Sequence, residues 1–582
     1  MKSLKLYSII GALGFLFAVL YFFPIIFSKG GFGIQDWDQN FAWNEFTRVS
    51  IMEYGQFPQW NPYRCGGLPH FGNPEIGVIS LQTLLVLLLG TVSGIKASII
   101  LYVGIGFFGF YIYAKQRLGT MASILAALLY AFSGITSSFL STGMVVFIVF
   151  AFVPYVILFY EKGMTSWKSL FLSALLFALS YYNGYHISLL LGIYIACYSL
   201  IMAFASKSFQ PIIRLVLFGI VSTLFILPRL ILAVELIQAN STKPIDHSGY
   251  SVFQLVNSLI NPFQDLYRDR GVPRYSWMAD ESSFYIGILA FALFIFSLFR
   301  KKWEKKARIT LASLLFLLLF AFGYRSVIPL YPLMRELPVL DSFRVAQRFR
   351  FVLIIPLSLM IGYGFQQALE KTPLKIRNMI AVCAIVIIGV DLLYFAHSNY
   401  FTKTLIYDVT VPPPQKEFSQ VRVAHYKSTL AAGSIPQEYA EKHAFSMWSF
   451  EYPTQLENKG VINCSDTLMS VRRAAGKDKE GYIGEWHLQN RGGELKVVRW
   501  TPQEIELEVR LTKVLSDIVV VNQNYYPGWY AYIDNGKAEV PHKWNDLLSI
   551  PIKEHTRKIV FKYEPYKDIA QRVLKIITSK TK

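Results

Sequence analysis

Charge is what this chain has least of. Only 16% of its 582 residues are Asp, Glu, Lys or Arg, while 53% are hydrophobic and 16% aromatic. A soluble domain carries about a quarter charged residues, so this is a membrane protein's composition. Acids are the scarcer sign, 38 against 57 Lys and Arg, and none occurs between Ile76 and Tyr160. The net charge of +19 does not point to nucleic acid, because the basic residues are scattered through loops and form no stripe with a binding motif. Topogenic Lys and Arg, and attraction to anionic membrane lipid, account for them. Cysteine numbers only four. Cys197 and Cys383 sit in apolar segments, whereas Cys65 and Cys464 both fall outside the membrane and read as two separate thiols, a bridge between them being the alternative. No Cys/His cluster has zinc spacing, no Walker or dinucleotide glycine loop occurs, and no internal repeat suggests a transporter's inverted halves.

What is present is a series of long apolar runs, nearly all before residue 397. The first, residues 4–27, follows Lys2 and Lys5 and is long enough to cross a ~30 Å hydrocarbon core. Its length and the lack of a small-x-small site make it an anchor and not a cleaved signal. Arg300, Lys301, Lys302, Lys305, Lys306 and Arg308 cluster between two runs and mark the cytoplasmic side. Forward from there lie spans at 309–323, 351–367 and 378–396, with an external loop at 325–350; backward lie a span at 283–299, an external loop at 238–281 and a span at 211–230. Runs at 76–90, 95–114, 120–133 and 143–160 give four crossings where an odd number is needed, so one of them, with 120–133 and its Ser133-Gly134 end as the candidate, is expected to be re-entrant or a half-helix. The expectation is about eleven spans with the N-terminus inside and the C-terminus outside, in a bacterial inner membrane.

The first external loop, residues 28–75, is the unusual one. Asp36 and Asp38 stand at the membrane edge, followed by a segment in which Phe46, Val49 and Met52 recur at helical spacing. Asp38 therefore doubles as an N-cap of that helix. With Asn44, Glu45 and Arg48 on its polar side, the helix is expected to lie along the membrane surface. Pro58 and Pro62 stiffen the exit around Trp60 and Asn61, and Gly66 and Gly67 follow. This loop reads as the catalytic loop of a membrane enzyme, with Trp60, Asn61 and His70 as candidates to touch substrate.

The order acid, surface helix, Gly55-x-x-Pro58-x-Trp60-Asn61-Pro62, then Gly67 and Pro69, resembles the first external loop of the YfhO-like family of bacterial membrane proteins. Further likenesses are Asn183-Gly184-Tyr185-His186, Pro228 with Glu235, Glu281 with Tyr285-Ile286-Gly287, Phe343-Arg344 with Arg348, and Tyr525-Tyr526-Pro527-Gly528-Trp529 followed by Asp534. The resemblance implies a GT-C type glycosyltransferase that takes sugars from polyprenyl-phosphate carriers on the outer face of the membrane, with a cell-envelope glycan as acceptor.

The residues suit that chemistry. A lipid-phosphate donor needs its phosphate held at the interface, and Arg229, Arg344, Arg348 and Arg350 stand at span ends where their guanidinium forks match phosphate oxygens. Inverting transfer needs one carboxylate to take the proton of the acceptor hydroxyl; Asp36 is the first candidate and Asp38 the second. The phosphate leaving group needs charge stabilisation from Arg, or from a divalent metal. Glu235 and Glu281 are candidates to bind substrate; with no acid from Ile76 to Tyr160, either a metal falls to Glu75, Glu235, Asp246, Asp265, Asp280 or Glu281, or none is tightly held. His186 between apolar runs is a functional candidate, a histidine bonded to a helix-end carbonyl being the alternative. The 238–281 loop, with Asp246, His247, Tyr250, Tyr267, Arg268, Arg270, Arg274, Tyr275 and Trp277, is expected to cover the site and stack on a sugar ring, with Tyr267 and Arg268 binding substrate.

The fold class expected is thus an α-helical polytopic, GT-C-like membrane domain over residues 1–397, and an extracytoplasmic β-rich domain over 398–582, sandwich or jelly-roll-like. The second domain is signalled by Pro412-Pro413-Pro414, strict alternation from Glu504 to Leu511, near alternation from Lys558 to Tyr563, and a hairpin turn at Asp534-Asn535-Gly536. Tyr525, Tyr526, Trp529 and Trp544 suit core packing better than glycan binding, and residues 568–577 suit a short amphipathic helix. Two rival functions are a lipid-linked glycan flippase, which would need ionisable residues at mid-membrane, and a non-enzymatic glycan-binding assembly protein.

Overall fold

The computed structural model describes residues 2–28, 32–33, 36–239, 249–264, 279–300, 303–337, 340, 343, 345–401, 406–409, 411–422, 428–430, 451–464, 473–512 and 514–572. Among the described residues, seven helical segments are long and apolar enough to cross a membrane: Thr91–Ala114, Thr120–Ser141, Val145–Lys162, Tyr185–Ser206, Gln210–Ile237, Ala346–Glu370 and Leu374–Asn399. Lys2–Tyr21, Trp167–Asn183, Ile288–Leu298 and Lys305–Ala321 stand with them in one helical bundle. The chain is an integral membrane protein.

One sequence expectation is corrected here. Thr120–Phe132 ends as a half-helix at Ser133, whose backbone is extended (φ −64°, ψ 169°), and a second helix, Gly134–Ser141, completes a 22-residue span, so the segment is not re-entrant. The Gly134 N–H leaves the helical ladder and donates to the Tyr285 carbonyl at 2.8 Å, and a Cβ on Gly134 would meet the Tyr285 nitrogen at 2.7 Å. The glycine admits a neighbouring chain and does not end the span. The short element is instead Leu81–Leu89, nine residues, capped by the Ser80 hydroxyl and ended by Gly90 at φ +81°. At 1.5 Å per residue it rises about 13 Å, under half of a hydrocarbon core.

Consecutive long helices alternate in direction, which brings the opening loop and every second turn to one end. There Lys96 Nζ donates to the Ser28 carbonyl (3.1 Å), Asn40 Nδ2 to the Gly143 carbonyl (2.7 Å), the Tyr185 N–H to the Pro74 carbonyl (3.4 Å) and Asn399 Nδ2 to the Pro262 carbonyl (2.8 Å). At the other end, Arg117 pairs with Glu161, and Lys306 Nζ donates to the Gln116 carbonyl at 3.3 Å.

The C-terminal part is a sandwich of antiparallel strands: β1 Trp486–Leu488, β2 Gly493–Thr501, β3 Glu504–Leu511, β4 Ser516–Asn524, β5 Trp529–Ile533, β6 Ala538–Glu539, β7 His542–Trp544, β8 Leu547–Lys553 and β9 Lys558–Tyr563. One sheet has the order β6-β5-β9-β3-β2 and the other β7-β8-β4-β1. The alternation in β3 places Ile505, Leu507 and Val509 in a core shared with Val519 and Val521 of β4 and Leu548, Ile550 and Ile552 of β8. Asp534 and Asn535, both at positive φ, turn β5 into β6. Tyr526 and Trp529 are buried while Trp544 is exposed, so the aromatic residues divide between core and surface. Of the terminal helix expected at 568–577, residues 573–577 lie outside the described residues.

The opening loop is built into this sandwich. Trp60 is fully buried in the β core: its Nε1 donates to Gln523 Oε1 at 2.7 Å, and its ring lies 5.4 Å from Trp529 and 5.0 Å from Tyr563. Gly67, at φ +99°, passes so close that a Cβ would meet the Trp60 ring at 2.6 Å. Asn524 donates through Nδ2 to the Cys65 carbonyl (2.6 Å), and Cys65 and Cys464 form a disulfide with Cα atoms 5.1 Å apart. The expectation of two separate thiols is thereby corrected; the bridge joins residues 399 positions apart, a pairing that only the folded chain reveals.

Candidate active site

Helix Asp36–Met52 does not keep Asn44 and Glu45 on an open polar side as expected. Trp37, Phe41, Ala42, Trp43 and Phe46 are buried together with the polar Asn44 and Glu45. Its polar face is spent internally: Gln82 Nε2 donates to Asn44 Oδ1 (3.1 Å), and Glu45 accepts from Thr91 Oγ1 and pairs with Arg48. The helix is a strut between the bundle and the C-terminal part.

The two acids at its start differ in environment. Asp38 is 7% exposed, and its carboxylate accepts the backbone N–H groups of Glu451 (2.7 Å) and Tyr452 (3.1 Å). It therefore caps Glu451–Leu456 and not its own helix. Burial, and then the charge of Glu451, push its carboxyl up to about 8. Glu451 in turn pairs with the buried Arg64, whose guanidinium sits 5.1 Å from the Trp43 ring centre. Asp36 keeps part of its surface open. Its position is fixed by its neighbours: Trp37 Nε1 donates to the Ser141 carbonyl (3.2 Å), and Asn40 Nδ2 bonds both the Asp36 and Gly143 carbonyls. Gly143, at φ +87°, must be glycine because a Cβ there would lie 2.2 Å from the Trp37 nitrogen.

Four residues beyond Gly143, the Phe147 ring leads into the second group. The Arg348 guanidinium lies 5.2 Å from its centre, and the His186 ring is 5.4 Å away. Arg348 is buried and forks onto Glu281, with Nε 3.1 Å from Oε2 and Nη2 on Oε1. Tyr185 stacks beside His186 at 4.0 Å, and Glu75 and Tyr185 are both in electrostatic range of Arg348. The Gly143–Phe147 stretch thus runs from Trp37 and Asn40, beside Asp36 in the chain, to a cluster of Glu75, Tyr185, His186, Glu281 and Arg348. It is polar, charged and located at the ends of the helices that carry these residues.

Other candidates fall elsewhere. Trp60, Asn61 and His70 are fully buried. Asn61 Oδ1 accepts the Tyr63 N–H at 2.9 Å, and His70 Nε2 meets Thr47 Oγ1 at 2.9 Å. Burial, then Arg64 and Arg229, hold His70 well below its usual range, so it is a neutral packing residue. Arg229 was expected to hold phosphate, but its five N–H donors meet five backbone carbonyls: Phe71, Tyr181, Tyr182, Asn73 and Ile76. Glu235 forks with Arg572, Nε to Oε1 at 2.9 Å, tying a span end to the C-terminal part. Arg350 donates to the Ser283 carbonyl at 3.0 Å. Tyr267, Arg268 and Arg344 lie outside the described residues, as do Asp246, His247, Asp265, Arg270, Arg274, Tyr275 and Trp277 of the expected cover. Among the described residues, no three His, Cys, Asp or Glu side chains gather as a metal site. Phe147, Gly143, Arg64 and Glu451 escaped sequence reasoning; the one signal was an Arg next to an external Cys.

No family model matches the chain, and no curated protein matches it in sequence. Among solved structures, the arabinofuranosyltransferase AftD from Mycobacteria is similar with a TM-score of 0.45 at 12% identity, over 68% of this chain and 27% of that one. ArnT from Cupriavidus metallidurans, bound to undecaprenyl phosphate, gives 0.41 at 9% over 68% and 74%, and the Archaeoglobus fulgidus oligosaccharyltransferase in its apo form gives 0.41 at 10% over 68% and 56%. The chain thus spans about a quarter of the first protein's length and just over half of the third's.

Proposed function

We propose that this protein is a membrane glycosyltransferase that moves a sugar from a polyprenyl-phosphate carrier to a cell-envelope glycan or polymer, on the outer face of a bacterial inner membrane, with inversion. The observation that carries this is the cluster of Glu75, Tyr185, His186, Glu281 and Arg348 at the end of the bundle that bears the opening loop, where the partly open Asp36 also stands. The Lys and Arg of the opposite end, among them Lys115, Arg117, Lys162 and Lys371, favour a cytoplasmic position for that end and an outer one for the cluster.

In the proposed reaction Asp36 accepts the proton of the acceptor hydroxyl as its oxygen attacks the anomeric carbon. The bond from that carbon to the phosphate oxygen breaks, and the electron pair leaves with the polyprenyl phosphate. Arg348 meets the developing phosphate charge; its fork with Glu281 uses Nε and Nη2 and holds the guanidinium plane fixed. His186 and Tyr185 border the sugar. Asp38, capped onto backbone donors, is assigned a structural part.

The test is transfer by purified protein given polyprenyl-phosphate sugars. Asp36→Asn is expected to lose a factor of about 10²–10⁴ in kcat, the usual worth of a general base, while Asp38→Asn keeps most of it. Full transfer by Asp36→Asn refutes the base assignment. No transfer by the unmodified protein from any such donor, with lipid-linked glycan moving between leaflets instead, refutes the enzyme reading in favour of a flippase.

A further inference from the structure

Two short helices outside the long spans carry apolar side chains with no protein against them. Val252–Ile260 has a capping box, Ser251 with Gln254, so it is a defined helix; it buries Leu255 and Leu259 and exposes Val252 and Phe253 at 68% and 80%. From Gly249 to Gln264 there is no charged residue at all. A helix face in water is normally charged or polar, and a strongly amphipathic helix without charge is one whose exposed side meets something other than water. The second element, Leu330–Arg335 with the turn before it, exposes Val327, Ile328, Leu333 and Leu337. Arg325 Nη1 donates to Gln254 Oε1 at 2.6 Å, joining the two into one surface.

We infer that this surface is an interfacial platform embedded in the outer leaflet of the bilayer. The occupant follows from three features. The Lys305–Ala321 helix leads through Gly323–Arg325 and the turn 326–329 into the second element, which puts the patch at the end of a helix of the bundle. Leu315 and Ile288, on the two helices packed against these elements, are likewise apolar and exposed, at 56% and 65%. At its rim Arg325 and Arg335 outnumber the one exposed acid, Glu336, and lie beside the Tyr324 ring, a net positive and aromatic border that suits anionic headgroups. The platform is also bonded to both arms of the Arg348–Glu281 pair. Tyr250 donates to the Ser282 carbonyl (2.6 Å), Ile286 and Gly287 donate to the Leu259 carbonyl (3.0 and 3.2 Å), and Tyr331 donates to the Phe343 carbonyl (2.8 Å). The depth of the platform in the leaflet therefore sets the height of that pair above the hydrocarbon. The inference concerns the lipid surface and stands whatever reaction the site performs.

The test uses the full chain with the exposed Cys383 changed to Ser, leaving the buried Cys197 and the Cys65–Cys464 bridge. Phe253→Cys, Val327→Cys and Leu333→Cys are labelled with a bimane fluorophore in nanodiscs of phosphatidylcholine and phosphatidylglycerol; Ile483→Cys on the β part is the aqueous control. Lipid bearing a nitroxide at acyl carbon 5 is expected to quench all three at least twofold more than the control, with iodide ranked the other way. Iodide quenching of the three at the control's level overturns the inference, as does shielding from both quenchers, which would mean a protein cover. Lipid quenching confined to one element refutes the shared platform.

Discussion

Asp38→Asn separates the two acids of the opening loop more sharply than any loss of activity. In the unfolded chain this carboxyl titrates near 3.8; in the folded chain burial and Glu451 raise it to about 8. Between those values the folded state holds one more proton than the unfolded state, so stability falls as pH rises, by about 1.4 kcal/mol per pH unit, and levels off above pH 8. From pH 6 to pH 8 the unmodified protein should lose about 2 kcal/mol from this group. An asparagine does not titrate, and it resembles the protonated acid in size and in offering an oxygen to one of the two N–H donors. The assay is the apparent unfolding temperature of both proteins in one detergent from pH 5.5 to pH 9, read as their difference so that other titrating groups cancel. The difference should shift in favour of the Asp38→Asn variant as pH rises to 8 and then stay constant. Parallel curves over the whole range would refute the buried-proton account, and a collapse of transfer activity in Asp38→Asn at pH 6 would return the acid to the catalytic machinery.

The remaining expectations concern the joint and the ion pairs. Trp60→Ala empties the β core beneath Trp529 and should cost about 3–5 kcal/mol, seen as earlier protease cleavage of the C-terminal part, whereas Trp544→Ala should be near neutral. Glu281→Gln leaves Arg348 buried without its carboxylate and should destabilise by about 3–5 kcal/mol; Glu281→Asp should recover part of the stability, and the recovery is measured by thermal unfolding. Non-reducing electrophoresis after protease nicking between Cys65 and Cys464 should hold the two fragments together until a thiol is added. Cys464→Ser should cost about 2–5 kcal/mol, checked by thermal unfolding against the unmodified protein.

The motifs that stood out in the sequence were informative, but about something other than a substrate pocket. Trp60 with Gly67 and the Tyr525–Trp529 unit are far apart in the chain, and the structure packs them against one another as a single joint. A Trp or a Gly at such a place looks alike in sequence whether it meets a sugar or another ring. Arg229 shows the same limit. An arginine at a span end suits a phosphate by charge, yet its five donors are taken by carbonyls that residues 71–76 and the end of helix Trp167–Asn183 bring to it. Glu281 and Arg348 were both legible as candidates, but their pairing was not, because nothing local in either segment encodes the other.

The sequence by itself determined the membrane character, the run of apolar helices, the change to β alternation after the last span, and which ends of the helices carry polar residues. These follow from composition and period, which are local properties of the chain. Only the tertiary structure decided that Leu81–Leu89 and not residues 120–133 is the short helix, that Cys65 meets Cys464, and that Asp38 caps a distant helix while Asp36 keeps part of its surface open. Each of those depends on which backbone group or side chain arrives from a distant part of the chain. A hydrogen bond, a disulfide or a buried charge takes its meaning from that partner.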